Sequence, residues 1–315
     1  MRPEGELRWA PGRPVPVTTM LRTLRRGAQD PTFRLDPDGS VWRATRTPEG
    51  PVTLRVRACS GDVEAQAWGP GADWALTGVP ELLGAADDTW ADFVPRPEHT
   101  VLVESWRANR HWRTTRTRAV FEALSASALE QVVTAVEAFA AWRRLVHRFG
   151  EPAPGPVALR LPPTPEQWTR IPSWEWLQAG VELRRRKVTI LAAPRAAGLE
   201  RTLTLGPEEA DRALRSLPGV GVWTSAEVRQ RAHGHADAFS FGDYHVAKNV
   251  SWALTGEVLD DAGCAQVIEC YRGHRFRVQQ LLLLAGASRP RRGPRMTLPA
   301  HTPNRAVRRG AISAR

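Results

Sequence analysis

Residues 217–224 have the sequence Leu217-Pro218-Gly219-Val220-Gly221-Val222-Trp223-Thr224, and a helical pattern lies on each side of them. Two glycines one residue apart permit a tight turn, and the first amides of the next helix have no intrahelical partners. Free amides and the positive end of a helix dipole favour an anion. The segment predicts a helix–turn–helix unit whose Gly219, Gly221 and Thr224 contact a nucleic-acid backbone. The alternative is an ordinary turn between two helices.

Helical periodicity dominates the chain beyond residue 97. Thr164-Pro165-Glu166-Gln167 combines an N-cap residue, a proline at the first helical position and a glutamine at the third, so it predicts a helix start. Residues 151–163 are rich in proline and predict a connector. Apolar spacing predicts helices, one or two of them in the first range, over residues 119–149, 184–193, 207–216, 223–231, 244–254 and 266–284.

The first part of the chain has a different pattern. Residues 41–45, 52–58 and 63–68 favour strands, and the last of these alternates apolar and polar residues as a half-buried antiparallel strand does. The predicted fold class is therefore α+β. We expect a small antiparallel-sheet domain over residues 1–97, an all-α domain over residues 98–287 and a tail over residues 288–315.

Composition excludes several classes of protein. Hydrophobic residues make up 42% of the 315, but no apolar run approaches the ~18 residues of a membrane helix. The first residues lack the apolar region of a secretory signal, so we expect a protein of the bacterial cytoplasm, associated with the nucleoid. We also expect this protein to be a monomer. Cys59, Cys264 and Cys270 are too few for a disulfide framework or a cubane iron–sulfur cluster.

The chain carries 44 basic and 33 acidic residues, a net charge of +11. Only Lys187 and Lys248 are lysines, a bias that indicates a GC-rich bacterial genome. The tail contains arginines at 289, 291, 292, 295, 305, 308, 309 and 315 and no acidic residue. Such a tail is typical of disordered segments that attract phosphate backbones, and the alternative is a solubilising tail.

Two further segments complete a pattern with the glycine turn: Asp237-Ala238-Phe239 and Asp243-Tyr244. Together they resemble the helix–hairpin–helix DNA glycosylases, specifically the AlkA-like 3-methyladenine DNA glycosylases (DNA-3-methyladenine glycosylase II). The resemblance extends to residues 121–124, 129–133 and 271–275 and covers roughly residues 115–285. It implies that the partner is double-stranded DNA with a damaged base. An alkylated purine would be flipped out and its N-glycosidic bond hydrolysed in base excision repair.

The resemblance also implies roles for particular residues. Asp243 matches the essential aspartate, and a carboxylate facing C1′ stabilises the positive charge that develops on the sugar. The alternative is a helix cap. Trp223 stands where the members that also nick DNA have a lysine nucleophile, which implies an enzyme without lyase activity. Trp223, Tyr244 and Gln131 would line the base pocket, and Val132 would be the wedge that fills the gap left by the flipped base.

Two positions depart from the family pattern. Glu227 and Leu283 stand where the family has a tyrosine and a tryptophan, and aromatic rings bind electron-poor alkylated bases by a cation–π effect. These departures leave the preferred lesion open. The alternatives are a glycosylase for another damaged base and a non-catalytic helix–hairpin–helix DNA-binding protein.

We expect no metal-dependent chemistry. His233-x-His235-x-Asp237 resembles a ligand run, but ligands with a spacing of two need a strand to face one way, and this segment joins two helices. Asp237 is expected to be structural. The resemblance allows a monovalent cation at the hairpin, bound by carbonyls near Arg215, Leu217 and Val220, and implies no other cofactor.

Overall fold

The computed structural model describes residues 1–290, in which an antiparallel sheet is followed by a helical body. No helix in this range is long and apolar enough to cross a membrane. The predicted basic tail lies outside the described residues from position 291 onward. The strands are β1 (Gly5–Trp9), β2 (Phe33–Leu35), β3 (Val41–Thr47), β4 (Gly50–Cys59), β5 (Asp62–Trp68), β6 (Glu151–Pro152) and β7 (Arg160–Leu161).

The α-helices are α1 (Val17–Leu21), α2 (Ala72–Thr77), α3 (Val79–Leu82), α4 (Thr100–Ala108), α5 (Val120–Glu130), α6 (Ala135–Phe149), α7 (Pro165–Arg170), α8 (Ser173–Ala179), α9 (Leu183–Ala192), α10 (Ala196–Glu200), α11 (Pro207–Arg215), α12 (Val222–Val228), α13 (Val246–Thr255), α14 (Asp261–Ile268) and α15 (Arg275–Leu284). A π-helical turn, Arg229–His233, directly continues α12. Short 3-10 turns cover Arg22–Leu24, Asp88–Asp92, Ala193–Arg195, Arg201–Thr204 and Glu269–Tyr271.

The large sheet has the strand order β1-β5-β4-β3-β2, and all its pairs are antiparallel. Ser60 and Gly61 join β4 to β5 with φ angles of 49° and 91°, the conformation that two-residue hairpins favour. Strands β3, β4 and β5 confirm the three predicted strands, and the burial of β5 shows the predicted alternation. The two edge strands β1 and β2 were not predicted. Strand β2 has only three residues, too few to show a periodicity, whereas β1 alternates Leu7 and Trp9 with Glu6 and Arg8, a signal that the prediction missed.

The proline-rich connector covers part of this sheet. Trp42 and Trp68 stack with their ring centroids 5.2 Å apart on one face. Leu159 and Leu161 pack against them from the β6–β7 segment. The predicted all-α region is therefore interrupted by one short antiparallel pair, which forms because these leucines bury the two indoles.

Helix α5 is the centre of the helical body, and its side chains are buried at residues 120, 121 and 123–129. Small residues such as Ala126 and Ala128 let neighbouring helices approach on every side. The Val120 and Phe121 amides donate to the Glu200 carboxylate at 2.8 and 2.9 Å. A carboxylate at this end complements the helix dipole.

The long helical pattern of residues 119–149 proves to be two helices. The chain leaves α5 at Gln131, and Thr134 and Glu137 form a capping box that starts α6. The predicted helix over residues 266–284 also divides into α14 and α15, because Gly273 has φ of 91° between them. The predicted capping box of Thr164 and Gln167 is confirmed at the start of α7.

A buried ion pair joins the end of the sheet region to the last helix. Arg277 donates to the two Asp87 oxygens at 2.9 and 2.7 Å, and the two side chains are 0% and 1% exposed. Burial alone would raise the pKa of Asp87, but the hydrogen bonds and charge of Arg277 outweigh it and hold that pKa below its usual value. The carboxylate is therefore ionised and paired at neutral pH.

Replacing Asp87 with Asn is expected to lower the free energy of unfolding at pH 7 by about 3–5 kcal/mol, because Arg277 stays buried without its counter-charge. Because the pKa of Asp87 is lowered in the folded protein, its ionised carboxylate contributes its full stabilisation above about pH 4. This contribution is lost as the pH falls through the folded-state pKa of Asp87. The deficit of Asp87→Asn should thus shrink on acidification, as measured by urea unfolding at pH 7 and pH 3. Asp88→Asn, at an exposed neighbour, is the control. A deficit that is small at pH 7, or unchanged at pH 3, would contradict the assignment.

Candidate active site

The turn between α11 and α12 occupies residues 216–221. Gly219 has φ of 89°, and a Cβ there would lie 2.6 Å from Cγ2 of Val188, so both conformation and space require glycine. Gly221 is exposed, and a Cβ there would meet nothing within 4 Å. No side chain caps α12. The predicted helix–turn–helix is therefore confirmed, with open space at the start of α12.

Asp211 locks the two helices of this hairpin together. Its Oδ1 accepts from Ser225 Oγ at 2.6 Å and lies 3.0 Å from Arg229 Nη2, while its Oδ2 lies 3.2 Å from Arg215 Nη1. Ser225 and Arg229 belong to the second helix and its π-helical extension. Nothing in the sequence around Asp211 marks this carboxylate beyond its place in a helical pattern.

Gln131 ties the end of α5 to the hairpin. Its Nε2 donates to the Gly219 carbonyl at 3.0 Å and to Thr224 Oγ1 at 2.8 Å. Thr224 is only 3% exposed, so its hydroxyl serves this internal contact. The structure places both side chains between the two elements, Gln131 as a tie and Thr224 as its acceptor.

Val132 forms an exposed tip next to this tie. It is 92% exposed, and its φ is 55°. A β-branched residue is strained in that region, at a cost of about 1–3 kcal/mol. The tip projects between the end of α5 and the capping box of α6. The residue predicted as the wedge is thus an exposed apolar side chain on a strained loop, and its role stays a prediction.

The loop that carries Asp243 packs against Trp223, although 20 residues separate Asp243 from Trp223. Oδ1 of Asp243 accepts from the His245 and Val246 amides at 2.7 and 3.0 Å, and its Oδ2 accepts no hydrogen bond from residues 1–290. A Cβ on Gly242 would lie 3.5 Å from Cβ of Trp223, so the aspartate loop packs on that residue. The aspartate is thus a helix cap with one oxygen still available.

The other predicted pocket residues lie around this pair. Trp223 is half-buried, and its Nε1 has no partner among the described residues. Tyr244 is 70% exposed, and Lys248 Nζ lies 3.9 Å from its ring centroid. The indole nitrogen of Trp223 is therefore buried, whereas Tyr244 forms an outer surface with Lys248.

A buried ionic network occupies the position of the first missing aromatic ring. Glu227 Oε1 accepts from Ser240 Oγ at 2.6 Å, and its Oε2 lies 2.6 Å from Arg231 Nη1. Glu130 lies 3.7 Å from Arg26 Nε, and burial raises the pKa of Glu130 although Arg231 and Arg26 lower it. Leu283, at the second missing ring, is exposed. The wall beside Trp223 is therefore ionic rather than aromatic, which the sequence indicated only at Glu227.

Asp237 is structural, as expected. Its Oδ1 accepts from the amides of Gly273 and Arg275 at 2.8 and 3.1 Å, and from Arg275 Nε at 2.8 Å. Burial lowers the pKa of His233 to about 3 and that of His235 to about 4. Within residues 1–290 no group of three His, Cys, Asp or Glu side chains is suited to hold a metal.

The monovalent-cation site stays a prediction. Among the carbonyls suggested for it, that of Leu217 accepts a hydrogen bond from the Val220 amide at 3.0 Å. A carbonyl has a second lone pair, so this contact leaves room for one further interaction.

The chain thus combines a small antiparallel sheet, a helical body and a glycine hairpin followed by an aspartate loop. The sequence itself matches no protein-family model and no curated protein. A 3-methyladenine DNA glycosylase from Archaeoglobus fulgidus has a TM-score of 0.72 at 18% identity, over 89% of this chain and 98% of that one. An 8-oxoguanine glycosylase/lyase from Clostridium acetobutylicum, solved in complex with double-stranded DNA, has a TM-score of 0.64 at 14% identity. This match covers 84% of this chain and 89% of that one. The likeness establishes the fold.

Replacing Val132 with Gly is expected to raise the free energy of unfolding by about 1 kcal/mol, because glycine adopts this φ without strain. Val132→Ala is the matched control, since it removes the apolar tip and keeps a Cβ at the same φ. Chemical denaturation of the three proteins measures the difference. If the glycine variant proved less stable than the alanine variant, Val132 would not be strained.

Proposed function

We propose that this protein is a monofunctional DNA glycosylase that excises alkylated purines, of the 3-methyladenine type, from duplex DNA. The observation that carries the proposal is the Asp243 carboxylate, which two backbone amides hold on a loop that packs on Trp223 while Oδ2 stays available. The fold shared with DNA glycosylases supports the same reaction class.

The chemistry of the proposal follows from this geometry. The target nucleotide leaves the stack and places its sugar next to Asp243. As the glycosidic bond breaks, positive charge develops on the sugar, and a fixed carboxylate stabilises it without reorganising. The same carboxylate orients or deprotonates the attacking water. The amides that hold Oδ1 keep the free oxygen in place.

The proposed partner is double-stranded DNA, bound by a monomer. The uncapped amides at the start of α12 beside Gly221 would bind a backbone phosphate. Val132 would enter the gap left by the extruded nucleotide. Both features lie next to the Gln131 tie, so the phosphate contact and the wedge are held in one rigid unit.

We further propose that the product is an intact abasic site. An indole at position 223 cannot attack C1′, which a lyase needs an amine to do. Lys248 is the amine near Asp243, and it lies over the Tyr244 ring. The ionic wall at Glu227 and Arg231 favours a second candidate, a glycosylase for another damaged base, because this wall offers hydrogen bonds in place of a ring.

Asp243→Asn should bind duplex DNA about as well as the wild type and lose nearly all excision. Asn caps helix α13 as well as Asp does, but losing the charge at the transition state costs about 3–4 kcal/mol. Release of free base from alkylated duplex DNA measures the effect. The control is Glu257→Gln, which removes one exposed charge beyond the far end of α13. Full activity in Asp243→Asn would end the catalytic assignment, and an inactive wild type that binds DNA would favour the non-catalytic alternative.

Borohydride trapping should give no covalent protein–DNA adduct, and the strand should break only after added alkali or a separate lyase. The reason is that β-elimination requires an imine to a protein amine. Lys248→Ala distinguishes the possible sources of an adduct. An adduct that disappears in this variant would show that Lys248 acts as a lyase nucleophile, and one that persists would point to the N-terminal amine.

A further inference from the structure

Arg185 is a buried arginine that joins the ends of two helices. It is 4% exposed, and it donates from Nη1 to the Leu129 carbonyl at 3.0 Å and from Nη2 to the Gly180 carbonyl at 2.7 Å. Leu129 is in the last turn of α5, and Gly180 ends α8 with φ of 87°. The last carbonyls of a helix lack intrahelical partners, and a cation there complements the dipole.

The end of α5 that Arg185 holds is the root of the Val132 tip. Only Glu130 and Gln131 separate Leu129 from this tip, whose backbone is strained at φ of 55°. Strain of this kind persists only where the surroundings fix the conformation. Three contacts fix it here: Arg185 at the helix end, the Gln131 tie to the hairpin and the capping box of α6.

We propose that Arg185 is a positioning residue for nucleotide extrusion, acting through the tip and not through contact with DNA. The inference rests on the proposed function. The neighbouring Arg184 and Lys187 are exposed, as residues that bind phosphates are, whereas the guanidinium of Arg185 faces two internal carbonyls. Its loss would let α5 fray at Leu129 and release the tip.

If Arg185 positions the tip, its replacement should have an effect that a general loss of structure would not have. Extrusion costs unstacking and unpairing energy, which is smallest for a base without a partner. A loosened tip should therefore slow excision most where the target base is firmly paired. The chemical step at Asp243 should be unaffected, because the hydrogen bonds of Arg185 go to Leu129 and Gly180 and not to that loop or to Trp223 among the described residues.

The experiment measures single-turnover excision of 7-methylguanine placed opposite cytosine or opposite an abasic-site analogue. Arg185→Ala should slow the first reaction about tenfold, as about 1.4 kcal/mol of lost support would, and leave the second nearly unchanged. Arg185→Lys should recover part of the loss. Arg195→Ala, which removes an exposed arginine from the same region, should change neither rate. Equal slowing on both duplexes, or slowing on neither, would overturn the proposal.

A second variant covers the case in which Arg185→Ala does not fold. In a Val132→Ala background, Arg185→Lys should cause no further slowing, because both changes act through the same tip. Additive losses would overturn the inference. 2-Aminopurine placed beside the lesion reports unstacking without excision. An inactive wild type that still unstacks DNA in an Arg185-dependent way would refute the proposed reaction alone, whereas no unstacking by the wild type would refute the positioning role.

Discussion

The rest of the structure depends on the burial of helix α5, in which nine of eleven side chains are buried. The terminal amides and carbonyls of a helix enclosed by protein cannot form hydrogen bonds with water, so other parts of the chain must provide their partners. Glu200 accepts from the first amides and Arg185 donates to a carbonyl in the last turn. These opposite charges match the two ends of the helix dipole. Because both ends are fixed, the residues that leave the helix also have fixed positions.

The candidate site is assembled around that fixed end. Gln131 connects it to the hairpin, and Val132 projects beyond it. Asp243 approaches from the other direction, on a loop that begins at the Asp237–Arg275 contact and packs on Trp223. Three segments far apart in sequence thus meet at one place.

Local features of the fold could be predicted from the sequence, and tertiary contacts could not. The glycine turn and the Thr164 capping box depend on residues close together in the chain, and both were predicted. Arg185 and Glu200 looked like ordinary residues of polar helix faces, since their partners lie 56 and 80 positions away. At the site, the resemblance to a known family pointed to Asp243 and Trp223. The ionic partners of Glu227 were not predicted, because they become apparent only in the folded structure. The spacing of charged residues in a sequence does not indicate which partners they will contact in the fold.

The π-helical turn Arg229–His233 changes the phase of the chain between the hairpin and the aspartate loop. In an α-helix each residue turns the chain by about 100° around the helix axis. A π-helical turn contains an extra residue, so the residues that follow it have a different angular position. Side chains beyond the turn therefore point in directions that a helical wheel drawn from Trp223 would not give. Gly234, with φ of 75°, then ends the helix. This irregular turn thus sets the direction in which the chain enters the segment from Gly234 to Asp243, as an angular offset built into the backbone.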